Sequence, residues 1–309
     1  MSKPTITVAI PTYNKEKDIR RCIESVLKNA DEVDKIIVID NLSSDKTFAI
    51  AKEYEPKVIC HQNDTNIGMS GNFNKCIELC TTDWLMILHA DDELLENAIA
   101  QYRKVILQNP SIGLIHANCY FVQDDKIETK KYVPRNIYGF LLAGKEAMSC
   151  HYGACSSIMV KKTVYDALGN FIDSMSTDVE MWARIASKKD IYSLDEATVI
   201  YHVSESSTGQ QSLINRSVAE IKADWDNLNS HIMTTFEDEE DRSSFEKRIF
   251  EEGPNSYWPV LTANIRARNL YNVFGALKVI IIDYRGLLPL TRRMSQSIGK
   301  YARRILHLK

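Results

Sequence analysis

The chain has 309 residues, 44% hydrophobic and 26% charged, with a formal net charge of −3. That is enough apolar material for one large domain, or a domain with an extension, and the charge balance gives no global signal for nucleic acid. No stretch has the uninterrupted apolar length that spans a bilayer, because the nearest, 270–290, is broken by Lys278, Asp283 and Arg285.

The first half alternates β-rich runs with helical patterns. Residues 6–10 read as a strand ending at Pro11, and over 15–28 the apolar Ile19, Cys22, Ile23, Val26 and Leu27 recur at helical spacing. A second strand, 36–39, is nearly all β-branched, which suits burial on both faces. Segment 44–53 reads as a helix capped by Ser43 or Ser44, 57–61 as a strand, 69–80 as a helix and 84–88 as a fourth strand. A helix over 96–107 stops ahead of Pro110, and 112–122 is strand-like. The polar, irregular 124–138 reads as a loop over the site. A strand at 155–160, a helix at 178–187 and a strand at 191–203 follow. Beyond about Gly209 the period is helical over 213–236, 243–251 and 258–282, dividing the chain into an α/β domain, 1–209, and a helical extension, 210–309. This alternation predicts βαβ units, a mostly parallel central sheet and helices on both faces, with ligands at the carboxyl ends of the strands. Three segments then share one rim: PTYN at 11–14, DNLSSD at 40–45 and HADDE at 89–93.

The seven cysteines are scattered without a C-x-x-C pair, which reads as reduced thiols of a cytosolic protein, with a metal site as the minor reading. The opening MSKPTITVAIPTYN lacks a signal-peptide core.

The run Leu85-Met86-Ile87-Leu88 ends on His89, Ala90 and two adjacent carboxylates, Asp91 and Asp92. One aspartate before a helix is ordinary capping. Two repel unless a cation lies between them, and hard divalent cations take carboxylate oxygens and share them with diphosphates. Asp91 and Asp92 are therefore candidate ligands for Mg²⁺ or Mn²⁺. Tyr13 offers a ring to a base, with Thr12 and Asn14 as hydrogen-bonding neighbours. Asp40, ending a buried strand, is placed to accept from a pyrimidine N–H or a ribose hydroxyl. Taken singly, each segment is equally ordinary turn chemistry.

In order, TVAIPTYN, IIVIDNLSSDKT, NIGMSGNFNKCI and WLMILHADDELL resemble the N-terminal half of family 2 glycosyltransferases, and the resemblance continues through GACSSIMVKKTVYDALGNF and STDVEMWARIA to cover about 5–205. It implies the GT-A fold, a Rossmann-like α/β domain that binds a nucleotide-sugar and holds a divalent metal at a D-x-D element. Pro11, Thr12, Tyr13 and Asn14 then match the first nucleotide loop, and Asp40 the carboxylate that reads the base. Asn41 stands where the family usually has a second Asp; Ser43, Asp45 and Thr47 match the rest of that loop. Asn66 and Gly68 open the segment crossing beneath the nucleotide. His89, Ala90 and Asp91 fill the D-x-D positions, followed by Asp92. There are further departures: His89 replaces the first carboxylate, and Phe73 stands where many relatives carry an Arg. His89 is then either a metal ligand or a hydrogen-bond donor to phosphate.

Asp178 matches the Asp of the family's E-D motif and takes the role of general base, with Thr177 in place of the preceding Glu; its plainer reading is a helix cap. Glu180 is the other carboxylate nearby and ranks second, while Trp182 reads as core packing. Gly153, Ala154 and Ser156 match the acceptor-side segment. YHVSESST at 201–208 resembles the closing loop, so His202 is a candidate metal neighbour and equally an ordinary strand-end residue.

The resemblance thus predicts an inverting glycosyltransferase that uses Mn²⁺ or Mg²⁺. Its donor would be a nucleotide-diphospho-sugar, with UDP the commonest nucleotide, and its acceptor a glycan or lipid-linked molecule in cell-surface polysaccharide assembly, in the cytoplasm or on the inner face of the membrane. A sugar nucleotidyltransferase would carry a Gly-rich phosphate loop after the first strand, and PTYNKEKD has no Gly. A non-catalytic nucleotide-sugar-binding protein would need no base. Outside the resemblance, the segment from Arg285 to the end has seven Lys or Arg and no acid. It reads as a helix on an anionic leaflet or as a docked helix with a basic outer face, and the extension could equally support a homo-oligomer.

Overall fold

The computed structural model describes residues 3–123, 126–130, 155–186, 188–189, 191–202 and 214–236, with isolated positions beyond. The chain divides into two compact units, residues 1–205 with 227–242, and 206–226 with 243–309. In the first, the described strands form a nine-stranded sheet. They are β1 (Ile6–Thr12), β2 (Lys35–Asp40), β3 (Ile59–Gln62), β4 (Trp84–Ile87), β5 (Glu93–Leu94), β6 (Leu114–Gln123), β7 (Lys126–Lys130), β8 (Ile158–Lys161) and β9 (Ile191–His202). Their order is β3-β2-β1-β4-β8-β6-β9-β5, with β7 paired to β6 off this path.

β1 is buried along its whole length, as suits a mostly apolar central strand covered on both faces. Ile6, Val8 and Ile10 point into one core with Ile19, Cys22, Ile23 and Val26 of α1 (Ile19–Leu27) and with Ile99, Tyr102 and Val105 of α4 (Ala98–Gln108). Ala9, with Ile37 and Ile39 of β2, faces the opposite core. There it meets Phe73, Cys76 and Ile77 of α3 (Gly68–Leu79), Val164 and Tyr165 of α5 (Lys162–Leu168), and Met181 and Trp182 of α6 (Thr177–Ala186). The helical period reads through to α7 (Val218–Met233). Cys22, Cys76, Cys80, Cys119 and Cys155 are buried.

β1 runs parallel to both β2 and β4, and β2 parallel to β3. Strand order therefore reverses between β1 and β4, the kind of switch point beside which ligands bind in such sheets. Beyond β4 the sheet becomes mixed: β8 is antiparallel to β4 and β6, whereas β6 and β9 are parallel.

Three local expectations change. β1 continues through Pro11 to Thr12, because its pairing with β4 stops at Ala9 and the prolyl nitrogen points to the side that has already been released. Neither Ser43 nor Ser44 caps a helix: α2 is Thr47–Lys52, since Ser43 is spent on Asp40 and Ser44 on Asn14. Part of 124–138 is the strand β7, in antiparallel register with β6 from Val122↔Ile127 to Cys119↔Lys130. The alternation of Ile127 and Thr129 with charged residues is a strand signal that polar composition hides.

Candidate functional site

The rim is built where β1, β2 and β4 end. β2 delivers Asp40 there fully buried. Its Oδ2 accepts the Ser43 backbone N–H at 2.9 Å and Gln62 Nε2 at 2.9 Å, while its Oδ1 accepts the Ser43 hydroxyl. The carboxylate thus folds its own loop, and a base N–H would share or replace one of these donors. Above it Tyr13 and Leu42 are 47% and 44% exposed. Leu42 sits at φ 61°, a left-handed backbone costing a branched side chain roughly 1–2 kcal/mol. Strain of that kind concentrates at ligand clamps. Asn14, at φ 52°, accepts Ser44 N–H on Oδ1 at 2.8 Å and donates its backbone N–H to Ser43 Oγ at 2.9 Å. Pro11 and Thr12 are buried, and Thr12 Oγ1 is without a partner.

Asn41 uses the difference between an amide and a carboxylate. Its Nδ2 donates to Asn66 Oδ1 at 2.8 Å and to the Gly68 carbonyl at 3.2 Å; its Oδ1 accepts Ile67 N–H and Asn63 Nδ2, both at 3.0 Å. Asn63 passes on to Asn72 Oδ1, and Asn72 Nδ2 to the Ile39 carbonyl. The aspartate usual at this position could not donate the first two bonds. Gly68, at φ 75°, turns this segment into α3.

At the end of β4, His89 donates its backbone N–H to Ser156 Oγ at 3.0 Å. Its ring stacks on Phe73, with centroids 5.5 Å apart and planes 20° from parallel. The departures at 73 and 89 are therefore one contact. Ala90 is buried in the core, beneath the acidic pair. His89 Nε2 is buried without a hydrogen-bond partner, and donor atoms of His89, Asp91 and Asp92 lie within 4.8 Å of one another. An orphaned imidazole nitrogen beside two carboxylates is a donor set that fits a divalent cation.

The two aspartates differ. Asp91 pairs with Lys15, Oδ2 to Nζ at 2.6 Å. Burial pushes its carboxyl up, but the charges of His89 and Lys15 outweigh this and hold it below the ordinary carboxylate range. Asp92 is fully buried, accepting the Ser156 hydroxyl on Oδ2 and the His202 backbone N–H on Oδ1 at 3.0 Å. Burial, then the charge of Asp91, pushes it well above its usual value. His202 turns its ring away from this group: Nε2 meets Glu93 Oε1 at 2.8 Å, an oxygen that Arg21 Nε also approaches at 3.2 Å.

Asp178 lies in the first turn of α6, whose first bonds are accepted by the Ser176 carbonyl, so it is not the cap residue. Burial raises its carboxyl, and the charge of His89 opposes the shift. Burial lowers His89, against the opposing charges of Asp91 and Asp178. Glu180 is spent elsewhere. It is 1% exposed and grips Arg184 at 2.9 and 2.8 Å, while Arg184 also donates to the carbonyls of Leu168 and Asn170. Trp182 is core, edge-on to Phe171 at 5.9 Å. Gly153, Ala154 and the segment 203–208 lie outside the described residues.

Lys15, Arg21, Gln62 and Glu93 are site residues that sequence reading did not single out. Lys15 follows PTYN directly, but in KEKD it is indistinguishable from surface charge.

Residues 7–169, just over half of the chain, match the family model described as Glycosyl transferase family 2. An uncharacterized glycosyltransferase of Methanocaldococcus jannaschii is 28% identical over 211 residues, 66% of this chain and 72% of that protein. The Escherichia coli protein WfgD, named a UDP-Glc:alpha-D-GlcNAc-diphosphoundecaprenol beta-1,3-glucosyltransferase, is 23% identical over 229 residues, 74% of this chain and 86% of its own. The crystal structure of S. aureus TarS 1–349 in complex with UDP-GlcNAc superposes with a TM-score of 0.67 at 15% identity, covering 94% of this chain and 92% of that one. The fold is that of the GT-A enzymes.

Proposed function

The chain belongs to glycosyl transferase family 2, and we propose that it moves a sugar from a nucleotide-diphospho-sugar, with UDP as the nucleotide, to a glycan or lipid-linked acceptor in cell-surface glycan assembly. The observation that carries this reading is the grouping of a half-buried carboxyl, Asp178, which feels the charge of His89, with the His89–Asp91–Asp92 donors, on the rim where β2 delivers Asp40. The names of WfgD and TarS, one using UDP-Glc and the other complexed with UDP-GlcNAc, favour a UDP-sugar and an acceptor of this class.

In this reading Tyr13 and Leu42 flank the base, Asp40 accepts its N–H, and the loop braced by Asn41, Asn66 and Gly68 supports the nucleotide from below. A Mn²⁺ or Mg²⁺ ion held by Asp91 and His89 would neutralise charge on the departing diphosphate. Asp92 holds the Ser156 hydroxyl and the His202 backbone N–H in place around it. Asp178 takes the proton of the acceptor hydroxyl as that oxygen bonds to the anomeric carbon and the bond to the diphosphate oxygen breaks, a single displacement with inversion. A lipid-linked acceptor would draw the enzyme to the membrane surface, which the basic segment 285–309 suits. Among the described residues no helix is long and apolar enough to cross a membrane.

Asp178→Asn tests the assignment. It should lower transfer by about 10²–10⁴-fold, while a UDP-sugar with Mn²⁺ still raises the thermal midpoint as in the wild type. Transfer undiminished in this variant would remove Asp178 from the reaction.

A further inference from the structure

Two cations stand beside the acidic cluster. Arg21 is held on three sides: by Asp18 Oδ1 at 3.1 Å, Glu93 Oε1 at 3.2 Å and the Asp91 carbonyl at 2.9 Å. Lys15 is held differently. Its backbone N–H is anchored on Thr47 Oγ1 at 2.7 Å, which fixes where the side chain starts. Its ammonium makes an ion pair with Asp91 Oδ2 at 2.6 Å, with the two side chains only 19% and 20% exposed. This is a partly desolvated pair, stronger than a screened surface bridge. It also covers an oxygen of the carboxylate that leads the cation-binding group.

We propose that Lys15 is a resident counter-ion of Asp91, which an arriving divalent ion displaces and which then carries its charge to the donor's diphosphate. The inference rests on reading this rim as a metal and diphosphate site. The carboxylate oxygen cannot serve an ammonium and a dication together without repulsion between them. The lysine stem is four flexible carbons, so the ammonium can leave Asp91 while the backbone stays fixed on Thr47. On His89 itself stands the Phe73 ring, which offers no charge to a phosphate. Arg21 is tied to its own partners. Among the described cations at this rim, Lys15 is thus the one positioned to meet the phosphates. A metal alone then works against Lys15, whereas a metal arriving with a diphosphate gives the released ammonium a new partner. Metal and diphosphate therefore strengthen each other's binding by the same factor.

The test needs neither sugar nor turnover. Mn²⁺ binding to the full chain is followed by the loss of the free-ion electron paramagnetic resonance signal, with and without pyrophosphate, for wild type, Lys15→Met, Lys15→Arg and Asp91→Asn. Wild type should bind Mn²⁺ weakly alone and about tenfold more tightly with pyrophosphate. Lys15→Met should bind Mn²⁺ alone roughly fivefold more tightly than wild type, and lose most of the pyrophosphate enhancement. Lys15→Arg, which keeps the charge, should stay close to wild type, separating a charge effect from loss of fold. If Lys15→Met binds Mn²⁺ no more tightly, or keeps the full enhancement, while Asp91→Asn loses binding, the counter-ion proposal alone is overturned. If Asp91→Asn binds as wild type does, the metal site itself falls, and with it both readings.

Discussion

An imidazole in place of a carboxylate changes what position 89 offers a cation. Nitrogen donors favour the transition metals over Mg²⁺, in line with the usual order of site affinities. Replacing His89 with Asp should shift the ratio of Mn²⁺ to Mg²⁺ affinity toward Mg²⁺ by about tenfold, near 1.4 kcal/mol, measurable by titration calorimetry. An unchanged ratio would mean the ring does not touch the ion. Asp178 sets a second residue-scale expectation. Burial raises its carboxyl, and a base must be ionised to act, so kcat/KM should climb with pH through an acid limb lying above the ordinary aspartate range. An acid limb at the ordinary aspartate value would count against Asp178 as the base. The residue identities at positions 73 and 89 were legible in the sequence as two separate departures. Their stacking was not, since it joins a helix and a strand end that are neighbours only after folding.

Elements were legible where periodicity was strong and misread where polar residues carried structural bonds. The buried runs of β1, β2 and β4 and the amphipathic stripes of α1 and α3 announce themselves by spacing. Nothing in 40–46 announces that its hydroxyls and carboxylates bond to one another and delay α2 to Thr47. Asn41 shows what such bonds are worth. Asn41→Asp removes both donated bonds to the 66–68 segment, which should destabilise the fold by about 1–3 kcal/mol in urea denaturation. No loss would show that the amide lattice is dispensable. Glu180 and Arg184 make a harsher case. Arg184→Met leaves a carboxylate of 1% exposure unpaired between α5 and α6, and breaking a buried pair from one side costs about 3–5 kcal/mol. The same denaturation measurement checks it. Glu180 looked like a second candidate base because chain proximity to Asp178 says nothing about which carboxylate an arginine will claim.

For the whole molecule, the alternation of strand and helix was enough to give an α/β sheet with PTYN, DNLSSD and HADDE gathered at its carboxyl rim, and the ordered motifs were enough to give the family. The change of direction at β8 was not legible, because strand polarity depends on where the chain re-enters the sheet and not on the residues of the strand itself. The basic segment 285–309 carries an expectation of its own. The full chain should co-sediment with vesicles containing anionic lipid and release them as salt rises. Neutralising Arg292, Arg293, Arg303 and Arg304 to Gln should abolish this, and retention by the neutralised chain would assign the contact to another surface.

The bonds of Asp92 have a consequence for how such an enzyme can diversify. One carboxylate joins the end of β4, which belongs to the parallel strands, to Ser156 ahead of β8 and to the last residue of β9. In the proposed reading those are the donor and acceptor halves, so Asp92 is the stitch between two otherwise separable modules. A graft that brought in a foreign acceptor half would have to bring a hydroxyl at position 156 and a backbone N–H at position 202 to the same place. A graft that kept both could exchange the acceptor while inheriting the donor site intact.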